Sequence, residues 1–251
     1  MIFNRDFLII AHRGASFDAP ENTMAAFQLA YRLKADMIEL DLQLTSDGMP
    51  VVFHDTKLDK KTDGTGLVNR YRLNELKMLN AGGWFSGSYT GEKIPTLSEV
   101  LDWAKGRILV NIEIKPEAVA DNIEGGIEEK TVSLVKKFEM ENKVLISSFD
   151  YRVIKRIKDL EPAIKTGLLY HKNESKGAEY AELVRQYDAD FFHCSHREVR
   201  EKEAALLRNK KIPFLVYTVN TPSLMKKMIR FGASGIFTDK PGLLYRISQE
   251  C

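Results

Sequence analysis

The chain is poor in cysteine, with two residues in 251, Cys194 and Cys251. So few thiols, one of them at the last position, make no disulfide framework and are expected in a reducing cytosol. Long apolar runs are also missing. No stretch approaches the roughly 18 residues that cross a bilayer, so stable membrane insertion is not expected. The opening residues Met1 to Asp6 lack the basic segment and apolar core of a secretory signal, and the short run Phe7 to Ala11 leads straight into His12. A cytoplasmic location is the resulting expectation. Charge of one sign is scarce too, the formal net charge being +2. Lys136-Lys137 and Lys226-Lys227 read as solvated helix faces, so no nucleic-acid partner is expected. There is no Gly-Xaa-Ser-Xaa-Gly elbow, no Walker loop and no His-Xaa-His pair.

What is present is an alternation of short β-branched runs with longer amphipathic stretches. Strands are predicted at Leu8–Arg13, Met37–Leu44, Ile108–Ile114, Val144–Phe149, Thr166–Tyr170, Asp190–Cys194, Phe214–Val219 and Gly235–Thr238. Helices are predicted at Asn22–Leu33, Leu97–Ala104, Asn122–Glu141, Tyr151–Leu160, Gly177–Tyr187, Val199–Asn209, Pro222–Phe231 and Gly242–Ser248. Eight βα units in this length point to an α/β fold, a closed (β/α)8 TIM barrel, rather than an open doubly wound sheet. Asn22 or Thr23 is expected to cap the first helix, and Thr221 the helix opened by Pro222. Asp47-Gly48 predicts a hairpin that returns His54 towards the second strand. The segment from Thr56 to Pro95 has no clean barrel strand and holds six of the 16 glycines with Trp84, Phe85 and Tyr89. One domain over 1–251 is expected, with a small insertion subdomain at about 56–95, after the second barrel strand. A segment of that length in a compact domain is either functional or rim packing.

Side chains alternate along a strand, so Glu39 and Asp41 point to one face, and Glu113 and Lys115 share the same relation. Both pairs fall towards the strand ends where a barrel carries its active site. Two carboxylates about 4 Å apart repel by roughly 4 kcal/mol at an effective dielectric near 20. Three together need protonation, basic partners or a metal, and all-oxygen ligands favour a hard cation such as Mg²⁺ or Ca²⁺. An ion-pair cluster of Glu39, Asp41 and Glu113 with Arg13 and Lys115 satisfies the same spacing. His12 and His54 end neighbouring segments, and two imidazoles beside carboxylates suit acid–base chemistry, one taking a proton and one giving it. Arg13 adds a planar cation suited to phosphate or carboxylate. Asp55 has the reach to orient an imidazole. His193 and His196 flank Cys194-Ser195 without a recognisable zinc spacing.

Nine short segments in order resemble the glycerophosphodiester phosphodiesterases of the bacterial cytosolic type. They are Ala11-His12-Arg13-Gly14, Pro20-Glu21-Asn22-Thr23, Ile38-Glu39-Leu40-Asp41-Leu42, Thr45-Ser46-Asp47-Gly48 and Val52-Phe53-His54-Asp55, then Asn111-Ile112-Glu113-Ile114-Lys115, Ser147-Ser148-Phe149-Asp150, Tyr217-Thr218-Val219-Asn220 and Gly235 to Pro241. The resemblance implies a barrel hydrolase that cleaves a small-molecule glycerophosphodiester to sn-glycerol 3-phosphate and an alcohol. It implies that Glu39, Asp41 and Glu113 hold one divalent cation, that His12 and His54 are the acid–base pair, and that Arg13 and Lys115 bind phosphate. Members often carry tryptophan where this chain has Tyr217, a position expected to form part of the substrate wall. Cleavage of lysophospholipids in the manner of a phospholipase D is a substrate variant of the same reaction. A non-catalytic barrel binding phosphorylated ligands, which has no need of both histidines, and an isomerase or lyase barrel with Lys115 as base, are the readings from other classes.

Overall fold

The computed structural model describes residues 7–172, 175 and 179–250. Its strands in chain order are β1 (Leu8–Ala11), β2 (Met37–Leu44), β3 (Pro50–Val52), β4 (Leu109–Ile114), β5 (Val144–Ser148), β6 (Lys165–Leu169), β7 (Phe191–Ser195), β8 (Phe214–Tyr217) and β9 (Gly235–Thr238). Helices are α1 (Met24–Arg32), α2 (Leu73–Leu76), α3 (Leu97–Ala104), α4 (Ile127–Lys137), α5 (Tyr151–Leu160), α6 (Tyr180–Tyr187), α7 (Glu201–Asn209), α8 (Pro222–Arg230) and α9 (Pro241–Ser248). The strands pair in the order β1-β9-β8-β7-β6-β5-β4-β2, and β1 also pairs with β2, so eight parallel strands close on themselves. β3 alone is antiparallel, joined to β2 through the Asp47-Gly48 turn, where Gly48 adopts φ 71.

Alternation along each strand divides the core in two. Ile9, Ile38, Leu40, Val110, Ile112, Ile146, Phe192, Cys194, Val216 and Ile236 face outward and pack under the helices. Leu8, Ile10, Met37, Leu109, Leu145, Phe191, Leu215 and Phe237 face inward and plug the lower half of the barrel. Two residues further along from those plugs the side chains are polar: His12 from Ile10, Glu39 and then Asp41 from Met37, Asn111 and then Glu113 from Leu109, Asp239 from Phe237. The polar chemistry therefore gathers above an apolar floor, at the C-terminal mouth.

Three boundaries differ from the predicted ones beside left-handed residues. β1 stops at Ala11 rather than Arg13, since Arg13 (φ 55) and Gly14 (φ 84) turn the chain across α1. A Cβ on Gly14 would lie 2.7 Å from the Ala26 backbone, so only glycine allows that crossing. α1 starts at Met24 with Thr23 as its cap, while Asn22 (φ 57) lies outside the helix. Phe27 is its largest fully buried residue. α4 starts five residues later than predicted, because Gly125 (φ 67) and the cap Gly126 precede Ile127. α7 starts at Glu201, and Thr221 makes no side-chain cap at α8. The predicted start of α6 at Gly177, the reading of Met1 to Asp6, and Cys251 lie outside the described residues.

The long segment after β3 carries α2 and two single turns of 3₁₀ helix. Leu58, Val68, Leu76, Ala81 and Ile94 close a small apolar cluster of its own against Val51 and Phe53. Tyr89 Oη donates to the Asp18 carbonyl (3.0 Å), which ties this segment to the loop after β1 at the mouth.

Candidate active site

The β2–β4 register sets Asp41 beside Glu113 and Glu39 beside Asn111. One oxygen from each of Glu39, Asp41 and Glu113 lies within 4.8 Å of the others, and among the described residues no other such carboxylate, histidine or cysteine cluster occurs. The backbone N–H of Arg13 donates to Glu39 Oε2 (2.7 Å), a contact that the left-handed turn at Arg13 makes possible. Asn22 Nδ2 donates to Asp41 Oδ2 (2.9 Å), and Asn22 Oδ1 accepts from the Asp41 N–H (3.3 Å). Lys115 Nζ lies 2.9 Å from Glu113 and 3.4 Å from Asp41, and Arg13 Nε lies 3.3 Å from Asp41.

Burial raises all three carboxyl pKa values, and the neighbours decide the net result. Arg13 and Lys115 hold Asp41 below its ordinary range despite burial. Burial and the Asp41 charge raise Glu113, against the pull of Lys115. Burial and the Asp41 charge push Glu39 up to about 8. The ion pairs foreseen as an alternative to a metal are thus real but insufficient. Two cations do not satisfy three buried carboxylates, and Glu39 bears the deficit. An oxygen-only donor set short of positive charge fits a hard divalent cation.

The histidines stand on either side of this cluster, each backed by a carboxylate. His12 Nδ1–H donates to Asp239 Oδ1 (2.7 Å). Asp239 is itself held by Asn220 Nδ2 (2.5 Å) and lies 3.1 Å from Ser16 Oγ, and its N–H donates to Asn220 Oδ1 (2.9 Å). Burial lowers the His12 pKa, but the Asp239 bond and the Glu39 charge outweigh it and the net direction is upward. His54 Nδ1–H donates to Asp55 Oδ1 (2.8 Å). Gln43 Nε2 donates to the carbonyls of Phe53 and Asp55 (2.8 Å each), and the Phe53 N–H donates to the Asp41 carbonyl (2.9 Å), which fixes this segment on β2. Both imidazoles use Nδ1 for orientation and leave Nε2 for a substrate.

Tyr217 ends β8 with its ring edge-on to Phe149 and Phe237 and its hydroxyl donating to the Tyr170 carbonyl (2.6 Å). His193 points into the barrel against Phe237 while Cys194 faces the helices, so the two cannot share an ion. Asn22, Glu21, Lys61, Asn220 and Asp239 belong to the site but carried no catalytic or binding role in the sequence. Strand parity offered a signal for Asp239, two residues beyond the inward Phe237. Lys61 had none, because a lysine in a glycine-rich insertion looks like any solvated residue.

A family model described as the glycerophosphoryl diester phosphodiesterase family matches residues 12–243. A glycerophosphodiester phosphodiesterase of Caldanaerobacter subterraneus is 39% identical over 241 residues, covering 96% of this chain and 97% of the relative. One from Bacillus subtilis is 32% identical over 96% of this chain and 86% of its own. Among solved structures, a phosphodiesterase from Oleispira antarctica in complex with the product sn-glycerol-3-phosphate superimposes with a TM-score of 0.83 at 32% identity, covering 96% of both chains. The glycerophosphodiester phosphodiesterase of Agrobacterium tumefaciens gives a TM-score of 0.82 at 28% identity over 94% of this chain and 98% of that one.

Proposed function

Because the chain belongs to the glycerophosphodiester phosphodiesterase family, we propose that it hydrolyses glycerophosphodiesters to sn-glycerol 3-phosphate and an alcohol with one divalent cation and a histidine pair. The observation that carries this is the pairing of two carboxylate-backed imidazoles, His12–Asp239 and His54–Asp55, around one oxygen-only cluster. A binding barrel has no use for either dyad.

Glu39, Asp41 and Glu113 hold the cation, Mg²⁺ or Ca²⁺, which supplies Lewis-acid polarisation of the phosphoryl oxygens when bound. Arg13 and Lys115 bind the remaining phosphate charge, and although burial works against their charge, the neighbouring carboxylates keep both protonated. With three carboxylates ionised against these two cations the cluster carries one negative charge. A divalent ion reverses it to one positive charge, which the single charge of a diester neutralises. The monoester product is closer to doubly charged at neutral pH, and the mismatch favours its release.

His12 Nε2 takes the proton of the attacking oxygen, since the Asp239 carboxylate raises the basicity of its ring. His54 Nε2 gives a proton to the departing alcohol oxygen as the P–O bond breaks. Two attackers fit: the substrate's own glycerol 2-hydroxyl, giving a cyclic phosphate that water then opens with the histidines exchanging roles, or water directly. Tyr217 closes one wall, and the whole chain acts as one catalytic domain with the 56–95 insertion over the rim. Among the described residues no helix is long and apolar enough to cross a membrane. The unpaired, buried Cys194 is compatible with a reducing cytosol.

The test is release of sn-glycerol 3-phosphate from glycerophosphocholine, glycerophosphoethanolamine and glycerophosphoglycerol with Mg²⁺, Ca²⁺ or EDTA, beside His12→Ala. Metal-dependent release lost in His12→Ala is expected. No release from any diester by folded protein with either metal sinks the proposal.

A further inference from the structure

Lys61 belongs to the insertion, yet it lines the cleft that holds His54, Asp55, Glu21 and Asn22. Its ammonium lies 3.2 Å from Glu21 Oε2 and 3.7 Å from the centre of the Trp84 ring. The other Glu21 oxygen takes Arg13 Nη1 at 3.0 Å, so one carboxylate links the insertion to a phosphate-binding residue. Trp84 is held in place by its Nε1–H, which donates to the Ala81 carbonyl (2.9 Å), and by the edge-on ring of Phe85. A carboxylate facing an aromatic ring is the arrangement that captures an ammonium group. Here the chain's own lysine fills it.

We infer that Lys61 is a specificity-determining residue, an internal cation that occupies the head-group place and turns the enzyme away from choline and ethanolamine esters towards esters of neutral polyols. The inference rests on the hydrolase reading above, in which His54, in the same cleft, protonates the departing alcohol. A substrate ammonium arriving there meets a positive charge that already holds Glu21 and covers the indole face. A neutral polyol meets instead the N–H donors that Glu21 leaves free and needs no displacement. Removing Lys61 frees both Glu21 Oε2 and the Trp84 face, and so builds a cation subsite from groups already in position.

The experiment compares kcat/KM for glycerophosphocholine with that for glycerophosphoglycerol. In Lys61→Ala the choline-to-glycerol ratio rises roughly tenfold over the wild-type ratio, the scale expected when cation–π attraction to the freed indole replaces repulsion by the lysine. Lys61→Gln, which keeps the stem and loses the charge, moves the ratio in the same direction and guards against a folding defect in the alanine variant. Adding Trp84→Leu to Lys61→Ala reverses part of that rise. A ratio within about twofold of wild type in both Lys61 variants, with activity on glycerophosphoglycerol retained, overturns the inference. Absence of turnover by the wild-type protein on both of these diesters and on glycerophosphoethanolamine, with either metal, refutes the hydrolase reading itself, and the inference falls with it.

Discussion

Replacing Asp239 with asparagine removes one charge and almost no volume. The site around it makes the consequence calculable. Asp239 accepts from His12 Nδ1–H at 2.7 Å and from Asn220 Nδ2 at 2.5 Å. An asparagine offers one carbonyl oxygen to these two donors. The other donor meets an NH₂ group, so either the Asn220 bond breaks or the His12 tautomer changes. Losing a charge-assisted hydrogen bond costs about 1.5–3 kcal/mol, which is roughly 10- to 150-fold in kcat. A tautomer change extends the loss towards about 10⁴, the scale seen when a triad aspartate is made asparagine. The pH dependence separates the two. Asp239 raises the His12 pKa in the folded protein. Its removal lowers that pKa, so His12 stays unprotonated to lower pH. If His12 is the base, the acid limb of kcat/KM moves to lower pH while the plateau falls. Steady-state kinetics from pH 5 to 9 on one diester at saturating metal measure both, and circular dichroism checks the fold. A loss of less than about threefold with an unmoved acid limb would refute the dyad as a working unit.

Glu113→Gln keeps the fold but weakens metal binding: activity at limiting Mg²⁺ falls more than activity at saturating Mg²⁺, and full activity at limiting metal removes Glu113 from the ligand set. Gly167→Ala drives a Cβ into the His193 imidazole. Overpacking of this kind costs about 1–3 kcal/mol and lowers Tm by roughly 2–10 °C, and an unchanged melt by calorimetry contradicts the packing. His193 is buried without a hydrogen-bond partner for either ring nitrogen, and burial depresses its pKa from 6.5 to about 3. The unfolded chain therefore binds a proton below about pH 6.5 that the folded chain refuses, and stability falls on acidification by about 1.4 kcal/mol per pH unit from this group. His193→Met narrows the difference in unfolding free energy between pH 7 and pH 5 by up to about 2 kcal/mol, read from urea titrations; an unchanged difference rejects a buried neutral His193.

Much of this protein follows from local pattern. The eight βα units are legible because each strand is a short β-branched run and each helix an amphipathic one, and both periodicities are set within a few residues. Period-two alternation alone puts Glu39 with Asp41 and Glu113 with Lys115 on the barrel interior, and the Asp47-Gly48 turn announces the return of Phe53-His54-Asp55 to β2. The end of β1 and the starts of α1 and α4 moved beside left-handed residues. Arg13 and Asn22 turn left-handed where each bonds a carboxylate across the fold, Glu39 and Asp41, which no local propensity encodes. What only the tertiary structure decided is how charges at distant positions share one space. Asp239 stands 227 residues from His12 and reaches it because β9 closes the barrel beside β1. Asn22 leaves its expected cap to bond Asp41, and Lys61 crosses from the insertion to Glu21. The rise of Glu39 to about 8 is equally beyond the sequence. Such a shift depends on burial and on distances of a few ångströms between strands, and both exist only once the barrel has closed.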